Sequence, residues 1–409
     1  MKSLKKTLLS AALASSFMFS VPAVVAEVST DAVLENYVEI AHAAFSDSLA
    51  TAKTLQGRIE AFVAGPSEET LQSAREAWLE ARIPYGQTEV YRFGNANVDD
   101  WEGKVNAWPL DEGLIDYVAD GYEHEDGNTF ASANMIAGDE AITAELLESW
   151  HEKGGSEANV ATGYHAIEFL LWGQDLNKNP SDTGSRSYTD FVQGDGCTHG
   201  NCERRAKYLL EAADLLVKDL EEMVADWDGG KDNYRKAFLA LDDHEALRRI
   251  LFGMGSLSLG ELAGERMNVA LLAHSQEDEH SCFSDNTHVD IVENARGIQN
   301  IFNGSYTKID GSKVEGPSLA DLVAAKDKEL SKKLADQLKD SQQKAEVLAE
   351  IAEKGEHFDQ QIVAGNKEGN ARVKDVIKAL RAQTASIEAA SAALGIDNLN
   401  PETSDSFGG

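Results

Sequence analysis

The stretch "TDAVLENYVEIAHAAFSDSLATAKTLQGRIEAFVAG", Thr30 to Gly65, decides the fold class. Apolar residues recur at spacings of three and four, and Ala, Leu, Glu, Lys and Gln dominate. Thr30–Asp31 supplies a start signal and Gly65 a stop. Similar stretches recur along the chain. "PSEETLQSAREAWLEARIP" opens at Pro66–Ser67 and is expected to stop before Pro84, because proline disfavours helix in the residue before it. "RRAKYLLEAADLLVKDLEEMVADW" is a long amphipathic helix. "DDHEALRRILFGMGSLSLGELAGERMNVALLAH" is another, apolar on most faces. "SLADLVAAKDKELSKKLADQLKDSQQKAEVLAEIAEK" and "NARVKDVIKALRAQTASIEAASAALG" complete the set.

Strand signals are confined to "SYTKIDGSKVEG", Ser305 to Gly316, where Asp310–Gly311 suits the turn of one small hairpin. The expectation is an all-α protein of two packed helical-bundle domains with at most that hairpin. Residues 1–26 read as a leader, 27–235 and 236–400 as the two domains, and 401–409 as a flexible tail. The boundary is set near Gly229–Asp243, where "DGGKDNYRK" interrupts the helical pattern. Two irregular regions, Gly94 to Asn128 and Asp175 to Gly200, are long enough to carry function or short helices.

The leader "MKSLKKTLLSAALASSFMFSVPAVVA" places Lys2, Lys5 and Lys6 before an apolar run and small residues. That is the layout of a secretory signal peptide cleaved after Ala26. No later run is long and apolar enough to span a bilayer, so the mature protein is expected to be exported and soluble, in the periplasm of a diderm cell. Peripheral association with the outer membrane stays open. The net charge of −33 repels phosphate backbones, which excludes nucleic acid as a partner. Cys197 and Cys202, in "GDGCTHGNCE", suit a disulfide in an oxidising compartment. A zinc site at Cys197, His199 and Cys202 would lack a fourth ligand. Cys282 reads as a small buried residue.

One segment fits helix but not simple burial. "GYHAIEFLLWGQD", Gly163 to Asp175, is strongly apolar yet carries His165 and Glu168 three residues apart, on one helix face. Buried ionisable groups must be paired or metal-bound. The two satisfy each other structurally, or they are two ligands of a cation. Glu-x-x-His at this spacing holds iron in ferritin-like bundles, and here the order is reversed.

The longer "GYHAIEFLLWGQDL" resembles the Gly-x-His-x-x-Glu signature of the imelysin family. "RFGNANVDDWEGKVNAWPLDEGLIDYV" and "SCFSDNTHVDIVENARGIQNIFNG" are similar to other signature regions of that family. The resemblance spans about Asp31 to Gly395 and carries over Gly163, His165 and Glu168. It implies two packed helical bundles with the motif near their junction. It also implies an exported bacterial protein, often iron-regulated, in a family catalogued among metallopeptidases that includes an insulin-cleaving membrane protease. Related domains occur in periplasmic iron-uptake systems.

No complete hydrolytic set accompanies the motif. His151–Glu152 and His244–Glu245 are followed by Gly155 and Arg248 where His-Glu-x-x-His needs its second histidine. Phe169 after Glu168 rules out the inverted form, and "GMGSLSLG" has glycines at the wrong offsets for a serine elbow. Imidazole and carboxylate without thiolate suit iron, with zinc or another divalent cation as the alternative. The expectation is an iron-binding protein of a membrane iron-uptake system. A metallopeptidase and a carrier of haem or a small organic ligand are the competing readings.

Further candidates for lining the site are Arg82, Tyr85, Asp111, Glu265, Asp285 and His288. Each has a structural alternative: an interhelix salt bridge for Arg82, helix N-caps for Asp111 and for Asp285 or Asn286, an ion pair with Arg266 for the neighbouring Glu261 and Glu265, and plain exposure for His288.

Overall fold

Side chains at helix starts do the work that backbone cannot. Ser29, Ser67 and Asp242 each accept a hydrogen bond from a first-turn N–H that has no partner inside its helix. The computed structural model describes residues 28–122, 124, 127–176 and 183–403. The expected leader and the last part of the expected tail, 404–409, lie outside the described residues.

Among the described residues the chain is all-α apart from one hairpin. The first part contains α1 (Thr30–Ala64), α2 (Glu68–Gly86), α3 (Ala96–Asn106), α4 (Ala144–Trp150), α5 (Gly163–Trp172) and α6 (Cys202–Trp227). Then come α7 (Tyr234–Leu239), α8 (Asp243–Ser256), a π-helical stretch Leu257–Val269 and α9 (Ala270–Ala273). After α10 (Thr287–Asn303) the chain makes the hairpin β1 (Ser305–Thr307) and β2 (Lys313–Glu315), antiparallel with Tyr306 opposite Val314. It ends in α11 (Leu319–Lys326), α12 (Lys328–Ala352), α13 (Phe358–Ile362) and α14 (Lys367–Ala393).

α1 packs on α2 and α6, and α12 packs on α10 and α14. The contact of α2 with α10 joins these groups. One core cluster contains Phe45, Tyr91, Trp101 and Trp227: Tyr91 meets Phe45 and Trp227 tilted, Trp101 meets Phe45 edge-on, and Phe45 stacks on Trp227. The other gathers Leu262, Met267, Ile291, Leu348, Phe358 and Val376 under the π-helical stretch.

Three helices depart from the pattern read in the sequence. α2 does not stop before Pro84 but runs through it to Gly86. Proline there forfeits one backbone hydrogen bond, yet continuing the helix past it buries Tyr85 and Gly86. Gly86 lets α2 close on α10, since a Cβ on it would lie 2.9 Å from the Glu293 Cβ. The run from Ser318 is broken at Asp327, whose side chain caps α12 through Leu330 N–H. The apolar run after α8 winds as π-helix rather than α-helix, with hydrogen bonds reaching five residues back.

A buried ion cluster fixes the irregular segment before α6. Asp116 accepts from Arg186 Nη1 at 2.7 Å and from Arg205 Nε and Nη2 at 2.6 and 2.9 Å. Arg205 also donates to the Asp190 carbonyl, and the Asp190 carboxylate collects Tyr117, Thr198 and His199. Cys197 and Cys202 are joined as a disulfide beside it, so no thiolates remain for a zinc site there. Cys282 is buried and unbridged.

Burial would raise the Asp116 pKa, but Arg205 and Arg186 outweigh it and hold it below 3.8. A depressed carboxylate contributes stability above its unfolded value, and the contribution fades as pH falls through the folded one. Asp116→Asn removes the carboxylate that Arg205 grips through two nitrogens and leaves Arg186 with its longer contact to Asp190, at 3.3 Å. It should cost about 3–5 kcal/mol at pH 7 by urea unfolding. The gap from wild type should narrow below about pH 4.

Candidate metal centre

α5 starts with Gly163 at φ +81, a left-handed conformation with no room for a side chain: a Cβ would lie 2.5 Å from the Val105 carbonyl oxygen. That start presses the helix against the end of α3 and turns His165 and Glu168 inward, where they are 1% and 0% exposed. Trp78 on α2 fixes the same turn by donating to the Tyr164 carbonyl.

The pair is half of a larger arrangement. His165 Nδ1 lies 2.8 Å from Glu168 Oε2. Glu168 Oε1 accepts from Ser284 N–H at 3.0 Å and Ser284 Oγ at 2.7 Å. On the other side of His165, Nε2 lies 3.3 Å from His280 Nε2. His280 Nδ1 in turn is 2.9 Å from Asp290 Oδ2, which also accepts from Ser281 Oγ. Arg82 closes the chain, with Nε and Nη2 both 3.1 Å from Asp290 Oδ1 and Nη1 2.6 Å from Asn106 Oδ1. Two histidines thus face each other through their outer nitrogens, each backed by a carboxylate.

The electrostatics assign the protons. Burial opposes the charge on Asp290, but Arg82 and the His280 contact more than compensate, and its pKa stays far below the usual range. Burial, with the cations Arg266 and Arg82, lowers His280 to about 4. Burial and then His280 hold His165 well below its ordinary value. Burial pushes Glu168 up to about 8, against the pull of Ser284 and Arg82. At neutral pH both imidazoles are therefore neutral, Asp290 is charged and Glu168 carries a proton. One arrangement satisfies every atom: Glu168 donates to His165 Nδ1, His165 Nε2–H to His280 Nε2, and His280 Nδ1–H to Asp290.

Of the residues singled out in the sequence, Arg82 joins this network, and Tyr85 packs its ring beneath the Arg82 guanidinium and against Tyr164. Asp111 is separate. It precedes the turn Glu112–Leu114 but does not cap it, because its carboxylate accepts from Tyr122 and Asn128 instead. Glu265 is half-buried and outside the network. It is Glu261 that pairs with Arg266, at 2.8 Å, with Glu89 on the far side at 2.7 Å.

The expected cap of α10 is absent too. Asn286 occupies the cap position with a backbone that is not extended and makes no capping bond, and Asp285 precedes it at φ +55. His288 is half-buried against His357, not exposed, because the segment leading into α13 covers the start of α10. Sequence reasoning missed His280, Asp290 and Ser284. The nearest signal was the stretch "SCFSDNTHVD", which begins one residue after His280.

Trp108 packs edge-on against His280, with ring centroids 5.6 Å apart. It also lines a cleft of about 540 Å³ whose wall includes Asp111, Glu112, Asp120, Glu277 and Asp278. No lysine or arginine is among the described residues of that wall.

A sequence profile described as Imelysin matches residues 41–387. Iron-regulated protein A of Synechococcus elongatus is 23% identical over 282 residues, which is 66% of this chain and 61% of that relative. The chain thus spans about three fifths of the length of the curated relative it matches. A provisional iron-regulated protein A precursor from Parabacteroides distasonis superposes with a TM-score of 0.66 at 17% identity, over 89% of this chain and 95% of that one. An imelysin-like protein from Psychrobacter arcticum gives 0.59 at 15% identity, over 90% and 98%. These two structures share the fold.

The proton assignment has a spectroscopic consequence. The infrared difference between metal-free wild type and Glu168→Gln at pH 7 should contain the carbonyl band of one neutral carboxylic acid. The band should fade as pH rises through about 8. Its absence from that difference, or its loss near pH 4, would contradict the assignment.

Proposed function

Because the chain belongs to the imelysin family, we propose that it binds iron as cargo between His165 and His280 and serves bacterial iron uptake. The observation that carries this reading is the 3.3 Å separation of the two Nε2 atoms, with a carboxylate behind each ring. Two imidazole nitrogens about 2.0–2.1 Å from one tetrahedral ion lie about 3.3–3.4 Å apart. A carboxylate on the inner nitrogen is the usual support of a metal-binding histidine, fixing its tautomer and ring orientation.

The network also supplies a place for the displaced charge. When Glu168 loses its proton, His165 turns its own proton inward to Glu168. Both Nε2 lone pairs then face each other, and that arrangement needs a cation between them. Binding therefore exchanges about one proton for one ion. Glu168 acts in this scheme as the support of His165, and Asp290 as that of His280. Imidazole suits iron and zinc alike; iron is favoured by the name of the iron-regulated relative. The acidic cleft beside Trp108 supports approach by a cation.

Hydrolysis is less well supported, since peptide bonds would have to reach residues that are 1% and 0% exposed. We place the protein outside the cytoplasm on the strength of its leader-like first residues, with a membrane iron-uptake system as its partner. No described helix is long and apolar enough to cross a membrane.

Anaerobic calorimetry of chelator-stripped protein with Fe(II) tests the reading. Wild type should bind one ion and release about one proton near pH 7. His165→Ala and His280→Ala should abolish binding, and Glu168→Gln should weaken it about 10–100-fold and remove the proton release. Equal affinity in wild type and both histidine variants would falsify the assignment.

A further inference from the structure

A second group of acids lies on the other side of the loop that carries His280. Glu279, Asp285 and Asp359 are all buried, and they bring one carboxylate oxygen each to within 4.8 Å of one another. Glu279 precedes His280, Asp285 precedes α10, and Asp359 is in α13, so the group bridges the loop 274–286 and the C-terminal helices.

Acidic clusters are common, and closeness alone does not make a site. Here Glu279 is fully buried, and apart from the nearby Thr287 hydroxyl, which makes no well-aligned bond, neither of its oxygens meets a donor among the described residues. The Asp359 Oδ1 is likewise buried without a partner. The charged groups bearing on Glu279 are Asp359, Asp285 and Asp175, every one of them acidic. Buried carboxylate oxygens without donors are costly, and a cation is the missing partner that satisfies several at once.

We propose that Glu279, Asp285 and Asp359 form a second, structural cation site that takes a hard divalent ion of the calcium type and pins the His280 loop to α13. The donors are oxygens only, which suits calcium and not the imidazole-binding metals. Ligand atoms within 4.8 Å of one another fit an ion bound at about 2.3–2.6 Å. The loop is tied to the same helix at its start, where His274 Nδ1 meets the Ile362 carbonyl. A cation at the acids would fasten its other end, next to His280, Ser281 and Ser284. The proposal is independent of the iron reading, because none of its three ligands is a histidine.

The test uses full-length protein stripped with a chelator and titrated with calcium chloride, following Tm and binding heat. Wild type should show a saturable rise in Tm. Glu279→Gln and Asp359→Asn should lower calcium affinity at least tenfold. The calcium response should persist in His165→Ala, which separates this site from the iron centre. No calcium-dependent rise in wild type, or an undiminished rise in both acid variants, overturns the proposal.

Discussion

The ion pair between Arg82 and Asp290 is the constraint on which the centre of the molecule depends. Both residues are buried, 208 residues apart in sequence, on helices that touch each other. A lone carboxylate there would take up a proton. Paired with Arg82 it stays charged, and that charge decides everything beside it. It draws the inner N–H of His280, so the outer nitrogen of His280 becomes an acceptor. It also takes the hydroxyl of Ser281 and so shapes the loop that brings Ser284 to Glu168. Breaking such a pair from one side usually costs several kcal/mol, and here the cost would include the order of the histidine pair.

Packing beside the same pair accounts for α2 continuing past Pro84. The last turn sets Tyr85 under the Arg82 guanidinium and Gly86 against α10. Glycine serves the same end at Gly86 and Gly163, where α2 meets α10 and α5 meets α3 too closely for any side chain. Local preference yields at these positions to packing between elements far apart in sequence.

That contrast sets how much of the molecule is legible in the chain. The long helices are legible from apolar spacing and from caps such as Ser67, and the hairpin from Asp310–Gly311. His165 and Glu168 are legible because three residues place them on one face and their apolar neighbours make two charges conspicuous. Their partners are not. His280 lies 115 residues from His165, in a loop without periodicity, and only the tertiary contact of α5 with that loop brings them together. Asp290 looks like any acidic residue in a first helical turn, where a surface role is the ordinary expectation. An α-helical wheel sets Glu261 beside Glu265 and away from Arg266, and the π-helical winding brings Glu261 and Arg266, five residues apart, onto one face.

That winding constrains how the chain can change in length. Glu261 and Arg266 are five residues apart, about 140° apart on an α-helix of 3.6 residues per turn, yet here they are 2.8 Å apart. The wider coil holds more residues in each turn than an α-helix of the same height would. Removing one residue from Leu257–Val269 with the winding kept would swing the downstream chain by roughly a quarter turn relative to α8. Arg266 would leave Glu89 and Glu261, and the loop bearing His280 would start from a different bearing. Point substitutions along this segment alter its packing, whereas a single insertion or deletion would re-aim the ligand loop as a whole.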